Sequence, residues 1–470
     1  MNENSPKKMK RELSLLDGTM IVAGSMIGSG IFIVSSDIAR NVGSAGWLIF
    51  VWVLTGFITL IAALSYGELS AIFPKAGGQY VYLREAYGKL IAFLYGWGLF
   101  TIIQTGTIAA VGVAFAKFTA FIFPFFSEDN ILFSIGNFAV SAAQILAILS
   151  IVFLTWLNSR GVENGKFVQT SLTIVKLLSL GGLIISGLFF SFNSQIWDAN
   201  WSTAWDNMKW SADSLQMTEI LGAAVFAGIV SSMVGSLFSS DAWNNVTFIA
   251  GEMKNPQRNI GLSLFFGTMI VTIIYVLMNL MYIATLSMEE IATAPQDRVA
   301  VASALKIFGS EGAIIIAAMI MISTFGCNNG LILAGARVYH AMANDGVFFK
   351  KAAGLNQFEV PAWGLWIQCI WASALCLSGR YGDLLDFVVM AVLIFYILTI
   401  LGIFILRKKR PDLPRTYKAF GYPVLPALYI ILATTICVGL LIYKTTYAGI
   451  GLGIILIGIP VYYWIEKKKK

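Results

Sequence analysis

The sequence holds one histidine and four cysteines in 470 residues, and only 12% of it is charged. Each scarcity excludes something. With His340 alone there is no histidine pair for a metal and no base for a serine or cysteine triad. Cys327, Cys369, Cys376 and Cys437 all fall inside apolar runs, without CxxC spacing or the loop placement of a disulfide framework. No catalytic set, metal or cofactor is therefore expected, and an enzyme is not. Charge is scarce because 57% of the chain is hydrophobic, which points to an integral membrane protein. Short alternating segments are also missing, so a β-barrel is excluded.

What is present is a series of long apolar runs. A bilayer's hydrocarbon core of about 30 Å needs roughly 20 apolar residues per spanning helix. Twelve segments meet that requirement, at 14–40, 45–72, 88–123, 131–158, 165–190, 218–250, 260–286, 310–341, 361–379, 383–407, 422–444 and 446–465. The opening MNENSPKKMKREL is charged, but the run after it is too long for a signal peptide and lacks a small-residue cleavage site. It is read as a mature helix. An even number of spans puts both termini on one side. That side collects Lys7, Lys8, Lys10, Arg11, Lys75, Arg84, Lys89, Arg160, Lys166, Lys254, Arg258, Arg337, Lys350, Lys351, the run Arg407 to Arg410, Arg415, Lys418 and Lys467 to Lys470. The opposite loops carry only Lys209, Arg298, Lys306, Arg380 and Lys444. By the positive-inside rule both termini are cytoplasmic, and the net charge of +7 then reflects topology and gives no support to a nucleic-acid partner. The longest outward connection, 191–217, contains QIWDANWSTAWDNMKW, whose tryptophans suit the headgroup level.

Two of the runs carry interruptions. GSMIGSG, Gly24 to Gly30, weakens the first segment, and GSMIGS at 24–29 is echoed by SSMVGS at 231–236 in the sixth, with four of six positions identical. The second interruption continues through SLFSSDAWNN, Ser236 to Asn245. Segments one and six correspond if the first ten helices are two copies of five, and paired broken segments mark the substrate site of a secondary transporter. In hydrocarbon an unpaired backbone group costs several kcal/mol, so broken helix survives only where it lines a cavity or is buried in protein. Gly24, Gly28 and Gly30 permit unwinding. The N–H groups opening the next half-helix carry about half a positive charge and suit a carboxylate, while carbonyls ending the preceding half suit an ammonium. A zwitterionic amino acid matches both. Close helix packing through Gly24/Gly28 and Ser25/Ser29 is the alternative reading of the first stretch.

These residues resemble a known family. GSMIGSGIF is similar to the first-helix motif of the amino acid-polyamine-organocation superfamily, in its L-type amino acid transporter branch. YGELSAIFPKAGGQYVYLREAYG at 66–88, WNNVTFIAGEMKNPQRNI at 243–260 and RKKRPDLPRTYKAFGYPVLP at 407–426 resemble its second-helix loop, sixth-helix end and ten-to-eleven connection. The resemblance implies an all-α protein of twelve transmembrane helices: a five-plus-five inverted repeat (the LeuT-like fold, helices 1 and 6 unwound) followed by two further helices. The chain is then one transporter domain over 1–470, with tails at 1–13 and 466–470, repeats at 14–190 and 218–407, and the last helices at 422–465.

The same resemblance implies sodium-independent amino acid transport by alternating access. The carboxylate would meet N–H groups around Ser29, Gly30 and Ile31, and the amine would meet carbonyls near Met26, Phe238, Ser239 and Asp241. Ser25, Ile27, Gly28, Ser240 and Trp243 complete the substrate-binding set, with Phe238 as outer gate. Lys176 in TSLTIVKLLSL lies roughly 15 Å into its helix at 1.5 Å per residue, too deep for easy snorkelling. It matches the fifth-helix lysine that stands in for sodium in the family, and it could tether helix 1 or carry a proton. Asp241 departs from the glycine of neutral carriers; it could bind a cationic substrate group, pair with Lys176, or act as a polar strut. Asn328 and Asn329 could set selectivity or bond between helices, and Glu68 and Arg84 could form a gate or a solvated surface. The outer loop FPFFSEDN lacks the cysteine that joins animal relatives to a heavy subunit, so no disulfide-linked partner is expected. The expected function is exchange of small neutral L-amino acids across an inner membrane. A proton-coupled or dibasic carrier, and a non-transporting sensor, are the alternatives.

Overall fold

Uncharged apolar runs satisfy their backbone in hydrocarbon as helices, and helices dominate the structure. It is a computed structural model that describes residues 11, 13–136, 138–211, 216–377 and 381–467. Lys7, Lys8, Lys10, Arg380, Lys468 to Lys470 and the side chain of Lys166, all used above to orient the chain, lie outside the described residues.

The first apolar run forms α1 (Leu15–Met26) and α2 (Gly30–Val42), bent by 43° at the break between them. A capping box between Ser14 and Asp17 starts α1. Then follow α3 (Ala45–Ile72), α4 (Gln79–Tyr87), and α5 (Lys89–Gly98), which runs through a π-turn at Leu99–Ile103 into α6 (Gln104–Ile122). Next come β1 (Ile131–Ile135), β2 (Phe138–Ser141), α7 (Ala142–Asn158), α8 (Val162–Ile185), α9 (Ser194–Ser202), β3 (Met208–Ser211), β4 (Gln216–Glu219), α10 (Ala223–Ser239) and α11 (Asn245–Phe248). The remainder is α12 (Pro256–Thr285), α13 (Met288–Ala292), α14 (Val299–Asn344), α15 (Ala362–Cys376), α16 (Tyr381–Lys409), α17 (Val424–Tyr443) and α18 (Thr445–Lys467).

Among the described residues eight helices are long and apolar enough to span a membrane, nine if the bent pair α1/α2 is one span. Helices α7, α10 and α15 are apolar but shorter. The structure corrects the all-α expectation to mostly helical, because β1/β2 and β3/β4 are antiparallel two-stranded ribbons. It also corrects two segment boundaries. The run 131–158 is helical only from Ala142, since strands Ile131–Ile135 and Phe138–Ser141 pair before it, with Gly136 at φ +57° after the first, and a capping box of Ser141 and Gln144 starts α7. The run 218–250 begins as strand and becomes helix only after Gly222.

Two pairs of helices approach closely where glycine removes side chains. Along α2 and α10 the contacts pair Gly30 with Ser239, Val34 with Gly235, and Asn41 with Gly228. One index rises as the other falls, so the helices run antiparallel and touch along their length. Helices α3 and α12 do the same, Gly56 against Thr272 and Gly67 against Gly261. This packing carries the break after α1 to the break after α10, at the centre of the molecule.

Candidate functional site

At the first break, the N–H of Ile27 bonds back to the Ala23 carbonyl at 2.9 Å and the N–H of Gly28 to Met26 at 2.8 Å, after which helical bonding stops. It resumes when the N–H of Phe32 donates to Ser29 at 3.1 Å. The first N–H groups of a helix have no partner within it, so α2 begins with donors directed at the break. At the second, the N–H of Ser240 closes α10 on Ser236 at 3.0 Å, and that of Asp241 reaches Phe238 at 3.2 Å. Ala242 then takes φ +63°, which turns the chain away from the helix axis.

A small cavity lies between the breaks, lined by Ser25, Met26, Gly28, Ser29, Gly30, Phe238, Ser239, Asp241 and Ala242, with Thr107 and Val111 of α6 and Cys327 and Leu331 of α14. Eight residues named from sequence therefore share one cavity: Ser25, Met26, Gly28, Ser29, Gly30, Phe238, Ser239 and Asp241. Ser240 and Trp243 line a neighbouring pocket with Tyr396 and Tyr429. Ile27 faces the core with its side chain fully buried. Asn329 accepts from the Asn158 amide at 2.7 Å, and Asn328 donates to the Ile108 carbonyl at 3.2 Å, so both bond between helices.

Lys176 is 1% exposed. Its ammonium donates to the carbonyls of Gly24 at 2.9 Å and Ile27 at 2.7 Å, joining α8 to the unwound end of α1. Asp241 accepts from the Tyr396 hydroxyl at 2.5 Å. The carboxylate is thus turned toward α16 and the lysine toward α1.

Other site residues escaped the sequence reading. The Tyr275 hydroxyl, on α12, lies 3.0 Å from the Met26 carbonyl and 2.9 Å from that of Ser239; it ties one broken helix to the other. The Cys327 thiol donates to the Ser25 carbonyl at 3.2 Å. Each sits within an apolar helix, and the sequence alone does not say which way it faces.

The two ends of the site differ. On the face where α2 ends, a cavity of about 480 Å³ is lined by Asp37, Arg40, Lys117, Glu128, Asp297, Asp386, Lys444 and their neighbours, above Val234 and Gly235. Its charges are largely matched: Arg40 to Asp297 at 2.7 Å, Lys117 to Asp297 at 3.6 Å, Lys444 to Asp386 at 2.8 Å. Burial would raise the Asp297 carboxyl, but Arg40 and Lys117 hold it below its ordinary range. On the face where α1 begins, ion pairs lock the elements together. Glu68, 1% exposed, holds Arg407 at 2.6 Å and Arg415 at 3.3 Å, Arg337 meets Glu252 at 2.9 Å, and Arg84 pairs with Asp345. Burial would lower the Arg84 guanidinium, but Asp345 outweighs it and raises it. Glu68 and Arg84 therefore bond to other partners and not to each other.

The sequence matches the family model described as amino acid permease over residues 13–464. It is 31% identical over 471 residues to the serine/threonine exchanger SteT of Bacillus subtilis (strain 168), covering 98% of each chain. It is 30% identical to the large neutral amino acids transporter small subunit 2 of Homo sapiens, over 98% of this chain and 82% of that one, and 27% to the b(0,+)-type amino acid transporter 1 of Mus musculus, over 98% and 90%. Matches that run from before the first break to the last helix leave no part of the membrane core unaccounted for, and the chain belongs to the amino acid permease family.

Proposed function

We propose that this protein is a secondary transporter that exchanges small neutral L-amino acids across the inner membrane by alternating access, without sodium. The observation that carries the reading is the meeting of two broken helices at one cavity. Among the described residues nine candidate spans, with α1/α2 taken as one, and three shorter apolar helices are an even number, which supports both termini lying on one side, and the excess of lysine and arginine there supports the cytoplasmic side. The antiparallel contacts of α2 with α10 and of α3 with α12 support an inverted repeat, in which these helices are counterparts. The repeats are 14–190 and 218–407, the last two helices lie at 422–465, and the whole chain is one unit.

The substrate carboxylate sits at the start of α2, on the N–H groups of Gly30 and Ile31 beside Ser29. Its ammonium sits between Met26 and Ser239, whose carbonyls share one Tyr275 proton and so keep acceptor capacity. Lys176 supplies the fixed positive charge that a sodium ion would bring, holding the end of α1 by two carbonyls. Phe238 covers the cavity from the outer face. The cavity is small, and the relatives named above include a serine/threonine exchanger; both favour short neutral side chains. No cysteine lies in the outer loop FPFFSEDN, and the exchanger works without a disulfide-linked partner.

Purified protein in liposomes, loaded with an unlabelled amino-acid mixture and offered a labelled panel, tests the reading. Uptake is expected to rank serine, threonine and alanine above lysine and arginine. A preference for the cationic pair would transfer Asp241 to the role of substrate counter-charge, and binding without accumulation would make the protein a sensor.

A further inference from the structure

Next to the central cavity lies a second chamber of about 20 Å³, on the α5 and α16 side of Asp241. The two share Thr107, Asp241, Ala242 and Leu331 as walls, so the chamber abuts the central cavity. Most polar groups in its lining are committed elsewhere. The Asn244 amide donates to Gln79 at 3.0 Å, Gln79 to Thr399 at 3.1 Å, Gln104 to the Leu331 carbonyl at 2.7 Å, and Thr107 to the Ile103 carbonyl at 2.6 Å. Two are not. The Tyr95 hydroxyl and the Asn245 side-chain N–H₂, on residues 2% and 3% exposed, have no hydrogen-bond partner among the described residues. The Tyr95 ring is fixed edge-on against Phe395 at 5.3 Å, which fixes where its oxygen sits.

A buried donor without an acceptor is costly, and native proteins seldom leave one. Both open groups here donate, so the chamber is built for an oxygen that accepts, in a space of about one water. Asp241 adds an acceptor wall. A hydroxyl group accepts and donates, and fits all three; a methyl group fits none. We propose that the chamber is a side-chain subsite for hydroxylated amino acids, with Tyr95 and Asn245 as its specificity residues. The inference rests on the central cavity being the amino-acid site. The same hydroxyl chemistry is available from a resident water, and the test separates the two sources.

The test compares isosteric substrates, threonine with valine and serine with alanine, by counterflow in liposomes for the unaltered protein, Tyr95→Phe and Asn245→Ala. The unaltered protein is expected to favour each hydroxylated substrate about tenfold. In Tyr95→Phe, which removes one oxygen and keeps the ring, the ratio is expected to fall about fivefold, through a higher KM for threonine with valine unchanged. Ligand-induced shifts in Tm in detergent, for threonine against valine, give the same ratio for a variant that binds but does not exchange. Equal use of threonine and valine by the unaltered protein, or an unchanged ratio in both variants, overturns the subsite and leaves the chamber to water. Failure of the unaltered protein to exchange any amino acid would instead defeat the proposed function.

Discussion

Lys176 shows how one residue couples folding to transport. An ammonium buried to 1% exposure is tolerated because two carbonyls released by the α1 break receive it, at 2.9 and 2.7 Å, and those carbonyls in turn need a donor because their helix has ended. Each side settles the other. Hydrogen bonds to charged groups contribute about 1.5–3 kcal/mol, so Lys176→Ala removes both ties and is expected to cut exchange by tenfold or more while membrane protein level stays within about twofold. Normal uptake kinetics in that variant would rule the tether out. Tyr275→Phe removes a single neutral proton shared by two carbonyls, and a rise of about fivefold in substrate KM is expected from a loss near 1 kcal/mol; an unchanged KM would place the ammonium elsewhere. The lysine was legible in the sequence because a charge deep in an apolar run needs a reason. Tyr275 was not, since a tyrosine in such a run satisfies packing equally well, and only the fold brings its hydroxyl between the breaks.

At the scale of elements, the two interruptions matter because their helices touch. The SSMVGS stretch at 231–236, an echo of the first break, places Gly235 against Val34, and Ser239 just beyond it lies against Gly30. A methyl on Gly30 would overlap the Ser239 side chain and come 2.9 Å from its Cα, so Gly30→Ala is expected to push α2 from α10 and abolish exchange with the protein still inserted. Adding Ser239→Gly is expected to restore part of the activity by removing the side-chain half of the clash. Full activity in Gly30→Ala alone would mean the breaks do not need this contact. The breaks and the long helices could be read from glycine, serine and acid placed within apolar runs, and the eight residues of the cavity followed from the family resemblance of the motifs at those breaks. The first ribbon could not: ILFSIGNFAVS at 131–141 is apolar enough to pass as helix, and only the Gly136 turn and the Ser141 cap divide it from α7. Asn328 and Asn329 were ambiguous for a related reason, because an amide in a span can face a cavity or a neighbouring helix, and these two bond to helices α6 and α7.

For the whole molecule, the arrangement is asymmetric: a cavity of about 480 Å³ reaches Val234 and Gly235 of α10 from one face, while ion pairs at the buried Glu68 and between Arg337 and Glu252 close the other. Breaking a buried pair by removing one partner costs about 3–5 kcal/mol, so Glu68→Gln is expected to weaken the closed face and shift the population toward the opposite opening. Alkylation of Cys327, which lines the central cavity, by an impermeant reagent applied from the Glu68 side should then rise several-fold in a background where Cys369, Cys376 and Cys437 are replaced. An unchanged rate would show that Glu68 does not hold that face shut. Alternating access itself is best tested by trans-stimulation: liposomes loaded with serine or left empty, labelled serine outside, in sodium or choline buffer and at two external pH values. Uptake is expected only into loaded vesicles, equal in sodium and choline and indifferent to the proton gradient. Equal uptake into empty vesicles, or a requirement for sodium or for an alkaline interior, would contradict sodium- and proton-independent exchange.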